Sequence, residues 1–212
     1  MEFGIVKLDN PLPEWKLEAK EYVAVLSHSG SRGLGANIAK HYTYLASKQC
    51  PLPKNVQHLA WLDLNTHDGQ EYWMAMNLAG EYAKACHEDI HRRLAKALGK
   101  RIVVTIENHH NFAWKEMVDG KECIVHRKGA TPAAKGQLGI IPGSMTAPGF
   151  IVMGKGNEDS LQSASHGAGR LFSRAKCKAT FTQSQIKKVL ADNDVTLIGG
   201  NIDEAPMAYK NI

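Results

Sequence analysis

The order of the predicted elements is the feature that most constrains how this 212-residue chain can fold. A strand at 22–26 is followed by two helical patterns, over about 36–47 and 69–98, and in the second the apolar residues recur at three- and four-residue steps. Short strands follow, and a helix interrupts them at 182–192. The strand candidates are 102–106, 123–126, 138–141, 150–153 and 195–198. Helices followed by strands indicate an α+β fold.

The composition is that of a globular chain, with 43% hydrophobic and 22% charged residues. No internal repeat, low-complexity tract or linker is visible, so we expect one domain over residues 1–212. The net charge of +5 suits a polyanionic partner such as a nucleotide or a nucleic acid. No apolar run is long enough for a membrane helix, and Met1 to Trp15 lacks the features of a signal peptide. We therefore expect a cytoplasmic protein without a membrane partner.

The four cysteines are widely separated and form no C-x-x-C pair. Neither a disulfide framework nor a cysteine-only zinc site is indicated, and we expect reduced thiols. The ten histidines are more informative, because several of them stand beside Gly, Ser and Asn rather than in apolar periodicity.

One histidine pair matches a metalloprotease motif. His87, Glu88 and His91 form H-E-x-x-H on a predicted helix, and Glu107 is a conceivable third zinc ligand. The charges of Arg92 and Arg93 directly follow the motif and would oppose a bound cation, and short matches of this kind are common. A zinc hydrolase is therefore the weaker alternative.

His166 lies among small residues, in Ser-Ala-Ser-His-Gly-Ala-Gly-Arg. Small neighbours allow a ligand to approach the backbone, successive amides can bind phosphate, and Arg170 could add positive charge. A neutral imidazole in such a loop could attack phosphorus. The alternative is a histidine that only caps a glycine-rich turn.

His28 and His110 each follow a predicted strand, beside Ser29 and Asn111, where either could bind a cation. A surface or turn histidine is the alternative for each. His109 should face away from His110, because side chains alternate along a strand.

A second loop, from Pro142 to Gly149, carries Ser144 and backbone amides that could bind a nucleotide or could simply form a turn. Basic residues near these loops could receive phosphate, although solvated charges explain them equally well. They are Arg32, Lys128, Lys155, Arg170 and Arg174.

Five motifs, taken in this order along the chain, resemble the RtcB family of RNA-splicing ligases. They are His28-Ser-Gly-Ser-Arg-Gly33, Asn108-His-His-Asn111, His126-Arg-Lys-Gly-Ala-Thr-Pro132, Pro142-Gly-Ser-Met145 and Ser165-His-Gly-Ala-Gly-Arg170. The resemblance implies an RtcB-like fold of mixed sheets with flanking helices. It also implies a GTP- and manganese-dependent ligase that joins RNA with a 3′-phosphate or 2′,3′-cyclic phosphate to RNA with a 5′-hydroxyl. RNA repair or tRNA splicing would be its process.

The resemblance also implies roles for individual residues. His166 matches the histidine that becomes guanylylated, and His28 and His110 match manganese ligands. An archease-like activator or a release-factor-like protein is the implied protein partner. The implied guanylate contacts are Asn111, Pro142, Gly143, Ser144, Met145, Gly149, His166, Gly167, Ala168 and Gly169.

The sequence departs from the family pattern in two respects. Gly149 stands where the family has a serine that touches the nucleotide, which indicates a divergent subgroup. The family's Asp-x-Gly-Cys-Gly and Gly-Asn-His-Phe motifs, which supply further metal ligands, do not occur in these residues, and neither does its C-terminal lysine. We therefore expect the central and C-terminal portion of a family member, with an incomplete metal centre. A catalytically incomplete GTP- or RNA-binding remnant remains the alternative.

Overall fold

The computed structural model describes all residues from 1 to 212, and they form two compact units, Met1–Val104 and Thr105–Ile212. Four helices and several small antiparallel sheets are present, so the predicted α+β class is confirmed. The expectation of one domain over the whole chain stays a prediction. Among the helices, none combines the length and the apolar composition that crossing a membrane requires.

The first unit contains a β-hairpin and two helices. Strands β1 (Glu2–Lys7) and β2 (Glu21–Leu26) pair in antiparallel register, and the proline-bearing segment between them is the hairpin loop. Helices α1 (Arg32–Gln49) and α2 (His67–Ala97) follow. The strand predicted at 22–26 is thus confirmed, and α1 begins earlier than the predicted residue 36.

Small residues allow α1 and α2 to pack closely. A Cβ atom at Gly35 of α1 would overlap with the side chain of Ser31 and touch Ala79 of α2. Tyr42 is buried, and its ring centroid lies 5.0 Å from that of Tyr72. These contacts explain why glycine is accepted in the first turns of α1 despite its low helix propensity.

Both ends of α2 have well-formed caps. The hydroxyl of Thr66 accepts a hydrogen bond from the amide of Gly69 at 3.2 Å. At the other end Gly99 has a φ of +60°. The amide of Gly99 donates to Lys96 at 3.1 Å and that of Lys100 to Ala95 at 2.9 Å, which is a Schellman motif. The predicted helix and its glycine stop are therefore confirmed.

The second unit is built from three antiparallel strand pairs, β3 with β4, β5 with β8, and β6 with β7. Two helices follow the strands, and Ile186 and Leu190 of the second one form a small core with Ala205. The elements are β3 (Asn111–Val118), β4 (Lys121–Lys128), β5 (Ala130–Pro132), β6 (Leu138–Ile141), β7 (Phe150–Met153), β8 (Ser163–Ser165), α3 (Arg174–Thr180) and α4 (Gln183–Ala191).

Most of the strand and helix predictions from residue 102 onward are confirmed, and two are wrong. β6 and β7 have the predicted bounds, and β4 and α4 overlap their predictions. No strand forms at 102–106, because this run has no hydrogen-bonded neighbouring strand. Its β-branched residues favour an extended chain, but that preference alone does not make a strand. No strand forms at 195–198 either, since the amide of Val195 is used by the carbonyl of Leu190 at 2.9 Å.

Candidate active site

The side chain of His166 is held at the end of β8 by a backbone carbonyl. In the β5–β8 pair, Ala130 is opposite Ser165, so Gly129 and His166 flank the last paired residues. The Nδ1 atom of His166 lies 2.8 Å from the carbonyl oxygen of Gly129. A carbonyl oxygen only accepts hydrogen bonds, so Nδ1 must carry the proton. In the neutral ring the lone pair therefore resides on Nε2.

His110 and His166 come together through the same glycine. The amide of Gly129 donates to the carbonyl of His110 at 2.9 Å, and the two histidine ring centroids are 4.9 Å apart at an interplanar angle of 33°. Both rings are half-buried. The His109 ring has other neighbours, since it lies 5.9 Å from that of Phe112. The structure thus separates the two adjacent histidines and places His110 beside His166.

Asn108 connects the segment before β3 to β6. Its side-chain amide donates to the carbonyl of Ile140 at 2.8 Å and accepts from the amide of Ile140 at 3.2 Å. The Asn108 side chain therefore binds both backbone groups of Ile140, as the backbone of a neighbouring strand would. The sequence indicated that residues 107–111 come at the end of a strand, and they instead lead into β3.

The loop from 142 to 149 connects β6 to β7 and lies against the residues after His166. The amide of Ala168 donates to the carbonyl of Pro142 at 3.0 Å, and a Cβ atom at Gly167 would lie 3.3 Å from the same oxygen. The carbonyl of Ser144 accepts from the amide of Ala147 at 3.1 Å. The structure therefore brings together the two segments in which we expected the guanylate contacts.

Two glycines of this loop are explained by close backbone approach. A Cβ atom at Gly143 would overlap with the carbonyl oxygen of Pro148, and one at Gly149 would lie 3.2 Å from the Cα atom of Pro142. The compact loop thus accepts glycine at 149 more readily than a larger residue. The side chain of Met145 packs against the core around α4 and so anchors the loop to that core.

Arg127 anchors β8 from the β3–β4 hairpin. The residue is 3% exposed, and its guanidinium forms two parallel hydrogen bonds to Glu116, at 2.6 and 2.8 Å. It also donates to Ser163 of β8 and to the carbonyl of Leu161, both at 2.8 Å, and it lies over the ring of Trp114. This arginine, which was named from the sequence only within the motif at 126–132, therefore fixes the strand that directly precedes His166.

From the sequence we expected Arg170 to add positive charge beside His166, but its side chain binds other residues. Its guanidinium donates to Tyr209 at 3.0 Å and to Glu204 at 3.3 Å, and it also reaches the carbonyl of Asp203. The amide of Lys210 donates to the carbonyl of Gly169 at 3.0 Å. These contacts show that Arg170 binds residues 203–210 to the end of the glycine segment.

The pKa values of Asp203 and Tyr209 in this network are shifted from their usual values. The hydrogen bond from Arg174 holds the pKa of Asp203 below its usual value, although burial opposes the shift. Burial raises the pKa of Tyr209, and the hydrogen bond to Glu204 adds to the effect. Sequence reasoning missed this network because its members are up to 39 residues apart.

The remaining predicted site residues lie at element ends. His28 is exposed and follows β2 in the first unit, whereas Asn111 is exposed at the start of β3, opposite Lys128. Imidazole nitrogen is a common metal ligand, and manganese favours shells that also contain oxygen. By its chemistry, each of the imidazoles of His28 and His110 could contribute one nitrogen to a mixed ligand set.

The H-E-x-x-H segment lies within α2 but assembles no zinc site in the first unit. The Nε2 atom of His91 lies 2.7 Å from the hydroxyl of Ser27. The only group of three or more His, Cys, Asp and Glu side chains with ligand atoms within 4.8 Å of one another is elsewhere, at His67, Asp68 and Glu71. The zinc-hydrolase alternative therefore gains no support.

Comparison with known proteins identifies the family. Residues 6–212 match the model of a family described as "tRNA-splicing ligase RtcB". The chain is 36% identical over 225 residues to "RNA-splicing ligase RtcB" of Escherichia coli (strain K12), covering 99% of this chain and 55% of that relative. It is 34% identical over 227 residues to "tRNA-splicing ligase RtcB" of Nanoarchaeum equitans (strain Kin4-M), covering 91% of this chain and 47% of the relative. The chain spans about half the length of the curated relatives it matches, and it belongs to the RtcB family.

Proposed function

We propose that this chain carries the nucleotide-transfer site of an RNA ligase that depends on GTP and manganese. The ligase joins RNA ending in a 3′-phosphate or 2′,3′-cyclic phosphate to RNA with a 5′-hydroxyl, in RNA repair or tRNA splicing. Family membership supports a role in RNA ligation, because the matched relatives are named RNA-splicing or tRNA-splicing ligases. The contact between His166 and Gly129 is the observation that supports the chemistry.

His166 is the proposed nucleophile. With its proton held on Nδ1 by Gly129, the ring presents the Nε2 lone pair for attack. The Nε2 lone pair forms a bond to the α-phosphorus of GTP as the bond from that phosphorus to the β-phosphate oxygen breaks, and its electron pair leaves with pyrophosphate. The proton on Nδ1 stays on the ring, and the carbonyl oxygen of Gly129 that accepts it stabilises the positive charge that develops there. Transfer of the guanylate to an RNA 3′-phosphate then creates the leaving group that attack by a 5′-hydroxyl requires.

The loop at 142–149 and the segment after His166 are the proposed guanylate site. Small residues in both segments leave backbone groups accessible, and the hydrogen bond from Ala168 to Pro142 keeps the segments together. Asn111, one residue after His110, is a proposed additional contact. The proposed nucleotide-binding residues are Asn111, Pro142, Gly143, Ser144, Met145, Gly149, His166, Gly167, Ala168 and Gly169.

Manganese is the proposed metal, with His28 and His110 among its ligands. A bound divalent ion would polarise phosphate oxygens and offset their negative charge. The His110 ring beside that of His166 supports this assignment, because it would bring the ion close to the attacked phosphate. The net charge of +5 is compatible with RNA as substrate. An archease-like activator or a release-factor-like protein is the proposed protein partner.

Covalent labelling tests the proposal. The chain is incubated with GTP carrying a radioactive α-phosphate and excess manganese, and the denatured protein is separated by electrophoresis. We expect label on the protein, its loss in His166→Ala and its retention in His109→Ala, a neighbouring histidine with other contacts. Label that persists in His166→Ala would overturn the assignment of the nucleophile. A folded chain that takes no label would support the incomplete, binding-only alternative.

A further inference from the structure

The hydrogen bond between Ser27 and His91 joins the H-E-x-x-H segment to the loop that carries His28. The Ser27 hydroxyl and the Nε2 atom of His91 are 2.7 Å apart, and the two residues are 64 positions apart in the sequence. Both side chains are half-buried. The proposed function gives His91 no role, so this contact needs an explanation of its own.

The position of Ser27 in the chain indicates what the contact does. Ser27 directly follows β2, and His28 is the next residue. Successive side chains of an extended chain point to opposite sides, so a Ser27 side chain held against α2 directs His28 away from that helix. The exposure classes agree, because Ser27 is half-buried and His28 is exposed.

Helix α2 can hold the side chain of His91 in a fixed position. It is 31 residues long and capped at both ends, so the position of His91 is well determined. One of the two ring nitrogens of His91 that could bind a metal, Nε2, contacts Ser27 instead. The motif residue therefore has a contact within the fold that needs no zinc ion.

We infer that His91 is a positioning residue for His28, acting through the hydroxyl of Ser27. The inference rests on the proposed function, in which His28 binds the metal. Outer groups that orient a metal ligand commonly contribute 10- to 100-fold in metal affinity. Loss of the Ser27–His91 hydrogen bond should therefore weaken manganese binding without removing a ligand.

A double-mutant cycle on the full chain tests this inference. Manganese affinity is measured by electron paramagnetic resonance titration for Ser27→Ala, His91→Ala and the double variant. We expect each single substitution to weaken binding about tenfold, and the double to weaken it no further. His91→Gln, whose amide can still bond to Ser27, should recover most of the affinity. Glu88→Ala, an exposed residue of the same motif, is the matched control and should leave the affinity unchanged.

A second measurement needs no metal and no activity. In the metal-free chain labelled with ¹⁵N, Ser27→Ala should shift the ring signals of both His91 and His28, whereas Glu88→Ala should shift neither. Ser27→Ala removes one oxygen atom from a loop and leaves α2 intact, so it remains informative if His91→Ala fails to fold.

The outcomes separate the inference from the proposed function. Additive losses of affinity in the cycle, or unchanged affinity in both single variants, would overturn the positioning role of His91. If His28→Ala nevertheless loses manganese binding, the assignment of His28 as a metal ligand still holds. Unchanged affinity in His28→Ala would overturn the metal assignment and this inference with it.

Discussion

The Nδ1 atom of His166 lies 2.8 Å from the carbonyl oxygen of Gly129, and this contact determines which ring nitrogen can act as a nucleophile. Gly129 can direct its carbonyl towards the ring because its φ is +72°, in the left-handed region that favours glycine. The tautomer of a proposed catalytic histidine thus depends on the backbone conformation of a residue 37 positions earlier.

Gly129→Ala tests this dependence. A Cβ atom at 129 would meet the His166 ring only at ordinary contact distance, 3.6 Å from Cε1, so the main effect is on the backbone. An alanine in the left-handed region costs about 1–2 kcal/mol, and relief of that strain turns the carbonyl away from Nδ1. We expect a loss of stability of that size and a large decrease in guanylylation.

The matched control is Gly120→Ala, at the turn between β3 and β4. Gly120 has a φ of +74° and no atom within 4 Å of a built Cβ. This variant should lose similar stability in chemical denaturation but keep its labelling rate. Equal labelling in the two variants would contradict the role of the Gly129 carbonyl.

A second prediction concerns the buried ion pair between Arg127 and Glu116. The Arg127 side chain is 2% exposed, so its charge depends on Glu116 for compensation. Glu116→Gln should reduce the free energy of unfolding by about 3 kcal/mol, because it leaves a buried charge without its counterion. Urea denaturation measures the loss.

Glu122→Gln is the control for this pair, since it lies on the same hairpin and faces Lys115 at 3.8 Å with 65% of its side chain exposed. Its effect should be within about 0.5 kcal/mol, as for exposed ion pairs. Losses of equal size in the two variants would show that burial of Arg127 carries no special cost.

The third prediction concerns stability in acid. Arg174 lowers the pKa of Asp203, so folding favours the ionised carboxylate. This contribution is fully present above the unfolded pKa, about 3.9, and is lost as the pH falls through the lower folded pKa. The stability difference between the parent chain and Asp203→Asn should therefore shrink between about pH 6 and about pH 3.

Arg174→Gln is the partner variant, because it removes the hydrogen-bond donor at 2.9 Å from the carboxylate. It should flatten the same part of the pH profile, and the double variant should flatten it no further. A difference between parent and Asp203→Asn that stays constant across the range would refute the linkage.

Local signals were sufficient for several elements of the fold. The apolar period and Gly99 located α2, and the helix predicted at 182–192 is present as α4. Strand β3 was not predicted from the sequence, although the sequence contains a hairpin-turn signal directly after it. Asp119 and Gly120 form a two-residue turn between antiparallel strands, which is a strong indication of a hairpin.

The failures arise where partners distant in the sequence decide the structure. Residues 102–106 have strand propensity but no neighbouring strand, which no local pattern reveals. Likewise the motifs located His166 and His110, but only the fold shows that Gly129 connects them and that Arg170 is committed to Glu204 and Tyr209. Contacts of this kind depend on tertiary geometry rather than on residue type.

The last prediction concerns manganese affinity, and it follows from counting the ligands that these 212 residues provide. His28 and His110 are two neutral imidazoles, and the family motifs that bring an aspartate and a cysteine to the metals do not occur in this sequence. Manganese lies at the low end of the divalent affinity order and prefers oxygen ligands. Each missing ligand or supporting group should cost about tenfold or more in affinity. We therefore expect the 212-residue chain alone to bind manganese weakly and zinc more tightly.

Calorimetric titration of the chain with each metal decides the question, and His28→Ala and His110→Ala show which residues contribute. The cluster of His67, Asp68 and Glu71, in which only Asp68 is half-buried, is a competing site for any added ion, so His67→Ala is the necessary control. Weak binding that disappears in His28→Ala or His110→Ala, and persists in His67→Ala, is the expected result. Tight manganese binding would mean that ligands other than these two histidines complete the site, because two neutral imidazoles cannot by themselves tightly bind a metal that favours oxygen ligands.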